Sequence, residues 1–238
     1  MKTWLTSGGT SIIRVLCGRS NVYLMSRGKS RLLIDTGWKG DGQRLLKRLA
    51  ITGHPDAVIL THTHFDHAGN AWILHKRFAP TFIVEENEKD FLENGYSPVP
   101  NGTMRWTRFL YRLGAEKVPH WFQVQGVKAN MTFHEQHDLS EYGFNAVALH
   151  TPGHSAGSSS VIVGTEMAIV GDAMVGLPHR IFPPWGDDAE EIIRSWKKLL
   201  DTGCQIFHPA HGFPVTRQRL EKEYWKNTSH GASYLHHA

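Results

Sequence analysis

The residues best suited by type and spacing to do chemistry stand in one block, THTHFDHAGN at 61–70. His62, His64, Asp66 and His67 crowd together there directly after the apolar run Ala57-Val58-Ile59-Leu60. Imidazole and carboxylate are costly to bury without a partner. A divalent cation such as zinc or iron pairs with all of these groups, because both metals accept neutral imidazole and carboxylate. On an extended segment, side chains two positions apart point to the same side, so His62 and His64 should converge on one point. Asp66 and His67 follow in a turn leading into a helix and should aim at a second point close by. One segment can then serve two adjacent ions.

Three further ligand types sit after other strands. TPGHSAGS at 151–158 carries His154, VGDAM at 170–174 carries Asp172, and HPAHG at 208–212 carries His211. Singly each is unremarked: a loop histidine is commonly solvated, and Asp172 would serve as a turn residue or helix cap. Four separate strand ends that each deliver a ligand favour a binuclear site. Two cations ~3.5–4 Å apart share a hydroxide, because they depress the pKa of bound water toward ~7. That bridging hydroxide needs no serine or cysteine to attack an ester, thioester, lactone, amide or phosphodiester. Asp66 is assigned a catalytic role besides ligation, orienting the hydroxide and later carrying its proton.

The elements that must position these groups are legible as alternating short runs. Ile12–Leu16, Asn21–Met25, Arg31–Asp35, Ala57–Leu60 and Phe82–Val84 read as strands, with helices at Gln43–Leu49 and from Ala68 to before Pro80. The second half repeats the scheme, with strands at Phe144–His150, Ser159–Val163, Met167–Val170 and Gln205–Phe207 and helices at Asp187–Leu200 and Arg217–Trp225. The α/β order fits two packed sheets with helices outside, built as a single domain over 1–238. Residues 88–128 break the rhythm, being longer than a connection needs. Arg105, Arg108 and Arg112 alternate there with Trp106, Phe109, Tyr111, Trp121 and Phe122. The stretch is either helical packing on the domain or a lid insertion over the substrate. A second loop, Gly176–Gly186, contributes His179 and Arg180. Arg105, Trp106, Phe109 and His179 are the expected substrate contacts, suited to a small acyl compound bearing a carboxylate or phosphate.

Composition narrows the partners. Net charge is +4 with histidine neutral, and no lysine- or arginine-dense run marks a nucleic-acid footprint. Cys17 and Cys204 are too few for a disulfide framework. Arg14 interrupts the only short apolar run near the start, so no signal peptide is expected, and no stretch reaches the ~18 apolar residues of a membrane span. The expected context is cytoplasmic, with a small-molecule substrate and no nucleic-acid or membrane partner; a homodimer stays open. Of the 16 histidines, His75, His134, His137 and His208 are assigned surface or packing roles. His230, His236 and His237 fall in a polar tail expected to be disordered.

The order HxHxDH, then His after PG, then GD, then a late His before Gly, together with NVYLM…LLIDTG ending in Asp35, resembles the metallo-β-lactamase fold hydrolases over residues ~20 to ~213. The resemblance implies a four-layer αβ/βα sandwich with the site at one edge of the sheets. It implies one ion held by His62, His64 and His154, another by Asp66, His67 and His211, and Asp172 bridging them. Asp35 resembles a residue that orients a ligand without being one. The implied cofactors are two divalent ions, zinc foremost, with iron or manganese as alternatives. The Asp172 bridge departs from true β-lactamases, and Ala173-Met174-Val175 stands where acyl-homoserine lactonases carry a tyrosine. With 27 residues after His211, the helical C-terminal domain of glyoxalase II-type thioesterases is not expected in full. The resulting expectation is a metal-dependent hydrolase of a small ester, thioester or lactone, in the glyoxalase II or lactonase-like branch. The alternative is a sulfur oxygenase like the persulfide dioxygenases, with one iron on His62, His154 and Asp172. A phosphodiesterase or nuclease, or a non-catalytic metal-bound module, ranks below both.

Overall fold

Strict alternation within the strands decides how this chain layers. In the computed structural model, which describes residues 1–113 and 123–229, thirteen strands form two sheets. The first sheet takes β1 (Lys2–Leu5), β2 (Ser11–Leu16), β3 (Val22–Arg27), β4 (Ser30–Ile34), β5 (Ala57–Ile59), β6 (Thr81–Glu85) and β7 (Met131–Phe133), in that spatial order. Strands β1 to β4 pair antiparallel, and β4 to β7 pair parallel. The second sheet comprises β8 (Gln136–Asp138), β9 (Ala146–His150), β10 (Ser159–Val163), β11 (Met167–Gly171), β12 (Ile206–Pro209) and β13 (Val215–Thr216), in the order β13-β12-β11-β10-β9-β8. Its one parallel pair is β11 with β12. The helices are α1 (Gly42–Thr52), α2 (Ala71–Phe78), α3 (Lys89–Asn94), α4 (Arg105–Arg112), α5 (Ala189–Asp201) and α6 (Arg217–Ser229).

Successive side chains on a strand face opposite ways, and here both faces are buried. Tyr23, Met25, Leu32, Ile34, Ala57, Ile59 and Ile83 enter the core between the sheets, where Ala146, Ala148, Val161, Val163, Met167 and Ile169 meet them. The intervening Val22, Leu24, Leu33, Val58, Phe82 and Val84 pack under α1 and α2 with Leu45, Leu49, Ala71 and Leu74. On the other side Ala168, Val170 and Phe207 pack under α5 and α6 with Ile192, Trp196, Leu199 and Leu220. The result is helix, sheet, sheet, helix, as the sequence predicts.

Strand direction puts the ligand-bearing loops on one edge. β9 and β11 each run antiparallel to β10, and β12 runs parallel to β11, so β9, β11 and β12 all end at the same edge of the second sheet. The segment after β5 joins them there, since Ser159 N–H donates to the Thr61 carbonyl at 2.8 Å. α5 starts later than its sequence pattern suggests because Asp188 is its cap, its Oδ1 accepting from Glu190 and Glu191 N–H at 2.9 Å each. β1, β7, β8 and β13 are not anticipated from sequence; each has four residues or fewer, too few for a period to register. Of the stretch 88–128, α3 and α4 are helical, while Trp121 and Phe122 lie outside the described residues, as do His230, His236 and His237. No helix among the described residues is long and apolar enough to cross a membrane.

Candidate metal centre

All seven sequence-predicted ligands meet at this edge. Their donor atoms form three overlapping groups, each within 4.8 Å: His62, His64 and His154; His62, His67 and Asp172; Asp66, His67 and His211. His62 and His64 do face the same way, their rings 4.5 Å apart. The chain then turns, with His67 and Ala68 N–H both donating to the His64 carbonyl at 2.8 and 2.9 Å. That turn carries Asp66 and His67 past the first group toward the second before α2 begins.

Asp172 joins the groups. Its Oδ2 stands 3.5 Å from His154 Nε2 and 3.3 Å from His211 Nε2, and its Oδ1 stands 3.5 Å from His67 Nε2. His64 Nδ1 and His154 Nε2 are 3.0 Å apart, and Asp66 Oδ2 is 3.4 Å from His211 Nε2. Two zinc–nitrogen bonds of ~2.0–2.1 Å in tetrahedral geometry separate their nitrogens by about 3.3 Å, so these spacings suit donors sharing a cation. His62 Nε2, His67 Nε2 and Asp172 Oδ1 are buried with no hydrogen-bond partner among the described residues. Native proteins rarely leave such groups unsatisfied. The donor set therefore fits divalent metal.

Electrostatics holds His62, His64 and Asp172 in the forms ligation requires and leaves His67 and His211 protonated until a cation binds. Burial, reinforced by neighbouring imidazoles, pushes the His64 pKa down to about 3 and that of His62 well below its ordinary value. Both are neutral, as ligation requires. Burial works against charge on Asp172, yet the facing His211, His67 and His154 hold its carboxyl well below the usual range. Burial likewise opposes charge on His67, but Asp35, Asp172 and Asp66 outweigh it and raise the pKa to about 9. His211 moves up as well: burial is overcome by Asp172 and Asp66. A cation binding there displaces these protons and takes over the neutralisation of the two carboxylates.

A hydrogen-bonded surround aims the donors. His67 Nδ1–H donates to Asp35 Oδ2 at 2.8 Å, which leaves Nε2 for the centre. Asp35 accepts from Thr61 N–H at 2.8 Å and from its hydroxyl at 2.9 and 3.0 Å, so the carboxylate that holds the His67 ring is itself held in place. Gly171 backs this chain: its φ is +49°, and a Cβ there would lie 2.6 Å from Thr61 Oγ1. His154 Nδ1–H donates to the Trp185 carbonyl at 3.0 Å, again freeing Nε2. Ser20 Oγ–H donates to the Asp66 carbonyl at 2.5 Å, and Asn21 Nδ2 donates to the carbonyls of Pro209 and Gly212 at 3.0 and 3.1 Å, holding the His211 loop. Sequence reasoning missed Asn21, Thr61 and Trp185, because a backbone carbonyl or an uncharged side chain carries no spacing signal.

The proposed substrate contacts are placed less uniformly. Arg105, Trp106 and Phe109 lie on the outward face of α4, Trp106 and Phe109 being 52% and 60% exposed, and His179 is exposed on its loop. Trp106 meets Trp185 edge-on with ring centroids 6.2 Å apart. Arg108 and Arg112 instead line a cavity of about 330 Å³ with Tyr111, Asn101 and Asp187. That cavity adjoins the His154 loop through Asp187, whose N–H donates to the His154 carbonyl at 3.2 Å. Among the ligands, Asp66 and His211 have the more exposed side chains, 16% and 30%, so the centre opens on their side. Phe65, next to Asp66 in the chain, meets Trp38 at 5.3 Å, and Arg19 lies over Trp38 at 4.5 Å, a cluster the sequence does not announce. His208, expected on the surface or in packing, is fully buried between Trp4 and Tyr23.

This edge-on cluster of histidines and aspartates between two sheets places the chain in a defined class. The family model described as the metallo-beta-lactamase superfamily matches residues 15–226, and the chain belongs to that superfamily. It is 27% identical over 237 residues to a "Beta-lactamase-like protein 2 homolog" of Drosophila melanogaster, covering 94% of this chain and 71% of that one. It is 26% identical to an "Atrochrysone carboxyl ACP thioesterase" of Aspergillus fumigatus, covering 89% of this chain but 60% of the relative's length. Among solved structures, the BLEG-1 B3 metallo-beta-lactamase superposes with TM-score 0.66 at 21% identity, covering 90% of this chain and 96% of that one. A di-iron-bound form of TTHA1623 gives TM-score 0.64 at 24% identity, covering 89% and 98%. At these identities the structural likeness establishes the fold.

Proposed function

We propose that the chain is a two-metal hydrolase of small acyl compounds, with thioesters as the first class to test and esters and lactones beside them. The observation that carries the reading is the pair of triads, His62/His64/His154 and Asp66/His67/His211, joined through the two oxygens of Asp172. Similarity to proteins named as thioesterases supports the choice of substrate. Two divalent cations, zinc by our reading with iron or manganese as alternatives, would supply an activated water at neutral pH and polarise the acyl carbonyl.

The chain's own groups do the rest. The Asp66 carboxylate, near the open side, is placed to accept a proton from the attacking water and return it to the departing thiol or alcohol. Asp172 sets the separation of the two loci, and Asp35 holds His67 through Nδ1 in the tautomer that presents Nε2. Trp38 and Phe65 offer an apolar wall for the acyl group. Arg108 and Arg112 offer charge to a carboxylate or phosphate further along the substrate. The second triad is an observation that favours two ions over the one-iron oxygenase reading.

Protein purified without added metal should contain close to two equivalents by elemental analysis and should turn over thioester or lactone probes. One iron per chain, with oxygen uptake on glutathione persulfide and no hydrolysis, would replace this reading with the oxygenase. Cleavage of phosphodiester probes alone would replace the substrate class.

A further inference from the structure

We propose that Glu88 is a positioning residue for the first triad, a buried carboxylate that clamps the two ligand loops together. This rests on the two-metal reading above. Glu88 is 1% exposed and closes the short turn Glu86–Glu88 that follows β6. Its Oε2 accepts from Thr63 N–H at 2.8 Å and also from the Thr63 hydroxyl, and its Oε1 accepts from the Ser155 hydroxyl at 2.6 Å. Thr63 lies between His62 and His64, and Ser155 directly follows His154. One carboxylate thus bonds both segments that supply the triad.

Among the described residues no strand pairing does this work at the same level. β5 ends at Ile59 and β9 at His150, so the ligands sit on irregular backbone beyond the ladders, tied besides through Ser159 and Thr61. The neighbourhood is built around the carboxylate. A Cβ on Gly157 would lie 2.5 Å from Glu88 Cγ and 2.6 Å from Glu85 Oε2, so the turn after His154 packs directly on this side chain. Ser158 Oγ reinforces it, standing 2.8 Å from Ser155 Oγ and accepting from Ser155 N–H at 3.0 Å. Hydrogen bonds to an ionised acceptor are about twice as strong as neutral ones. The quantity they govern is the 3.0 Å approach of His64 Nδ1 to His154 Nε2. Groups hydrogen-bonded to a metal's ligands typically contribute 10–100-fold to its affinity, and Glu88 acts through the residues that flank them.

The test uses full-length protein loaded with cobalt(II), with affinity read by chelator competition and ligand geometry by the visible d–d bands. Glu88→Ala should weaken the tighter-responding site by roughly 10–100-fold and alter the bands of the folded protein. Glu88→Gln, whose amide oxygen can still accept from Thr63, should recover most of both. If Glu88→Ala does not fold, Thr63→Val and Ser155→Ala each remove one hydroxyl from the clamp and should each weaken binding several-fold. A folded Glu88→Ala with wild-type affinity and an unchanged spectrum overturns the proposal, as does a lower melting temperature with no change in either. Wild-type protein that takes up no cobalt would instead defeat the two-metal reading itself, and the two failures are therefore distinct.

Discussion

Gly171→Ala separates backbone strain from steric damage at the metal centre. Gly171 has φ +49°, and a β-carbon there would sit 2.6 Å from Thr61 Oγ1 and 2.7 Å from Thr61 Cβ. The left-handed conformation costs a non-glycine residue about 1 kcal/mol. Relieving contacts this close inside a packed core costs about 1–3 kcal/mol more, so total destabilisation should be about 2–4 kcal/mol. Gly28→Ala is the control, since Gly28 has φ +58° and nothing within 4 Å of the added carbon; it should cost the strain alone, about 1 kcal/mol. With a urea m-value of about 2–3 kcal/mol/M, the midpoint should fall by roughly 1 M for Gly171→Ala and about 0.4 M for Gly28→Ala, both measured with chelator present. Thr61 also holds Asp35, so Gly171→Ala should weaken metal binding as well, and Gly28→Ala should leave it unchanged. Equal midpoints for the two variants, or wild-type metal affinity in Gly171→Ala, would refute the reasoning.

Asp172→Ala should lose at least one metal equivalent and most turnover, because one carboxylate serves both triads; two equivalents retained by elemental analysis would count against the bridge. Burial, with Lys2 and Arg14 nearby, lowers the His208 pKa from 6.5 to about 4. The unfolded chain therefore takes up a proton that the folded chain refuses. The His208 contribution to stability should be complete above about pH 6.5 and fall by about 3 kcal/mol as pH drops toward 4, on the same limb as His62 and His64. His208→Phe should make that limb of a denaturation series shallower, and an unchanged slope would show that His208 does not contribute to it. Replacing Arg108 and Arg112 together with alanine should raise KM for substrates bearing a carboxylate or phosphate by roughly tenfold, the worth of one charged hydrogen bond, and leave neutral esters untouched. An equal rise for neutral esters would mean that the arginines act on structure.

The candidate donors were legible because their chemistry is local. HTHFDH concentrates donor types that a polar loop seldom needs, and His154, Asp172 and His211 each follow a strand whose apolar run is visible unaided. The layers were legible for a related reason: β3, β4, β5, β10 and β11 are apolar on both faces, which only a sheet covered on both sides explains. Boundaries were read less well, since the Asp188 cap and the four short strands leave little pattern. The outward placement of Trp106 and Phe109 was missed because an aromatic and basic alternation on a helix does not say which face meets the protein.

From sequence alone came the superfamily resemblance, the seven candidate donors and the two-sheet architecture. Those rest on residue type and on periods of two or three to four, which are properties of neighbouring positions. The resemblance also implied how those donors divide into two groups with Asp172 between them; only the tertiary structure decided that Glu88 and Asn21 hold the loops that carry them. Glu88 meets Ser155 across 67 positions of chain and Asn21 meets Pro209 across 188. A hydrogen bond depends on where two atoms end up in space, and no local pattern records it.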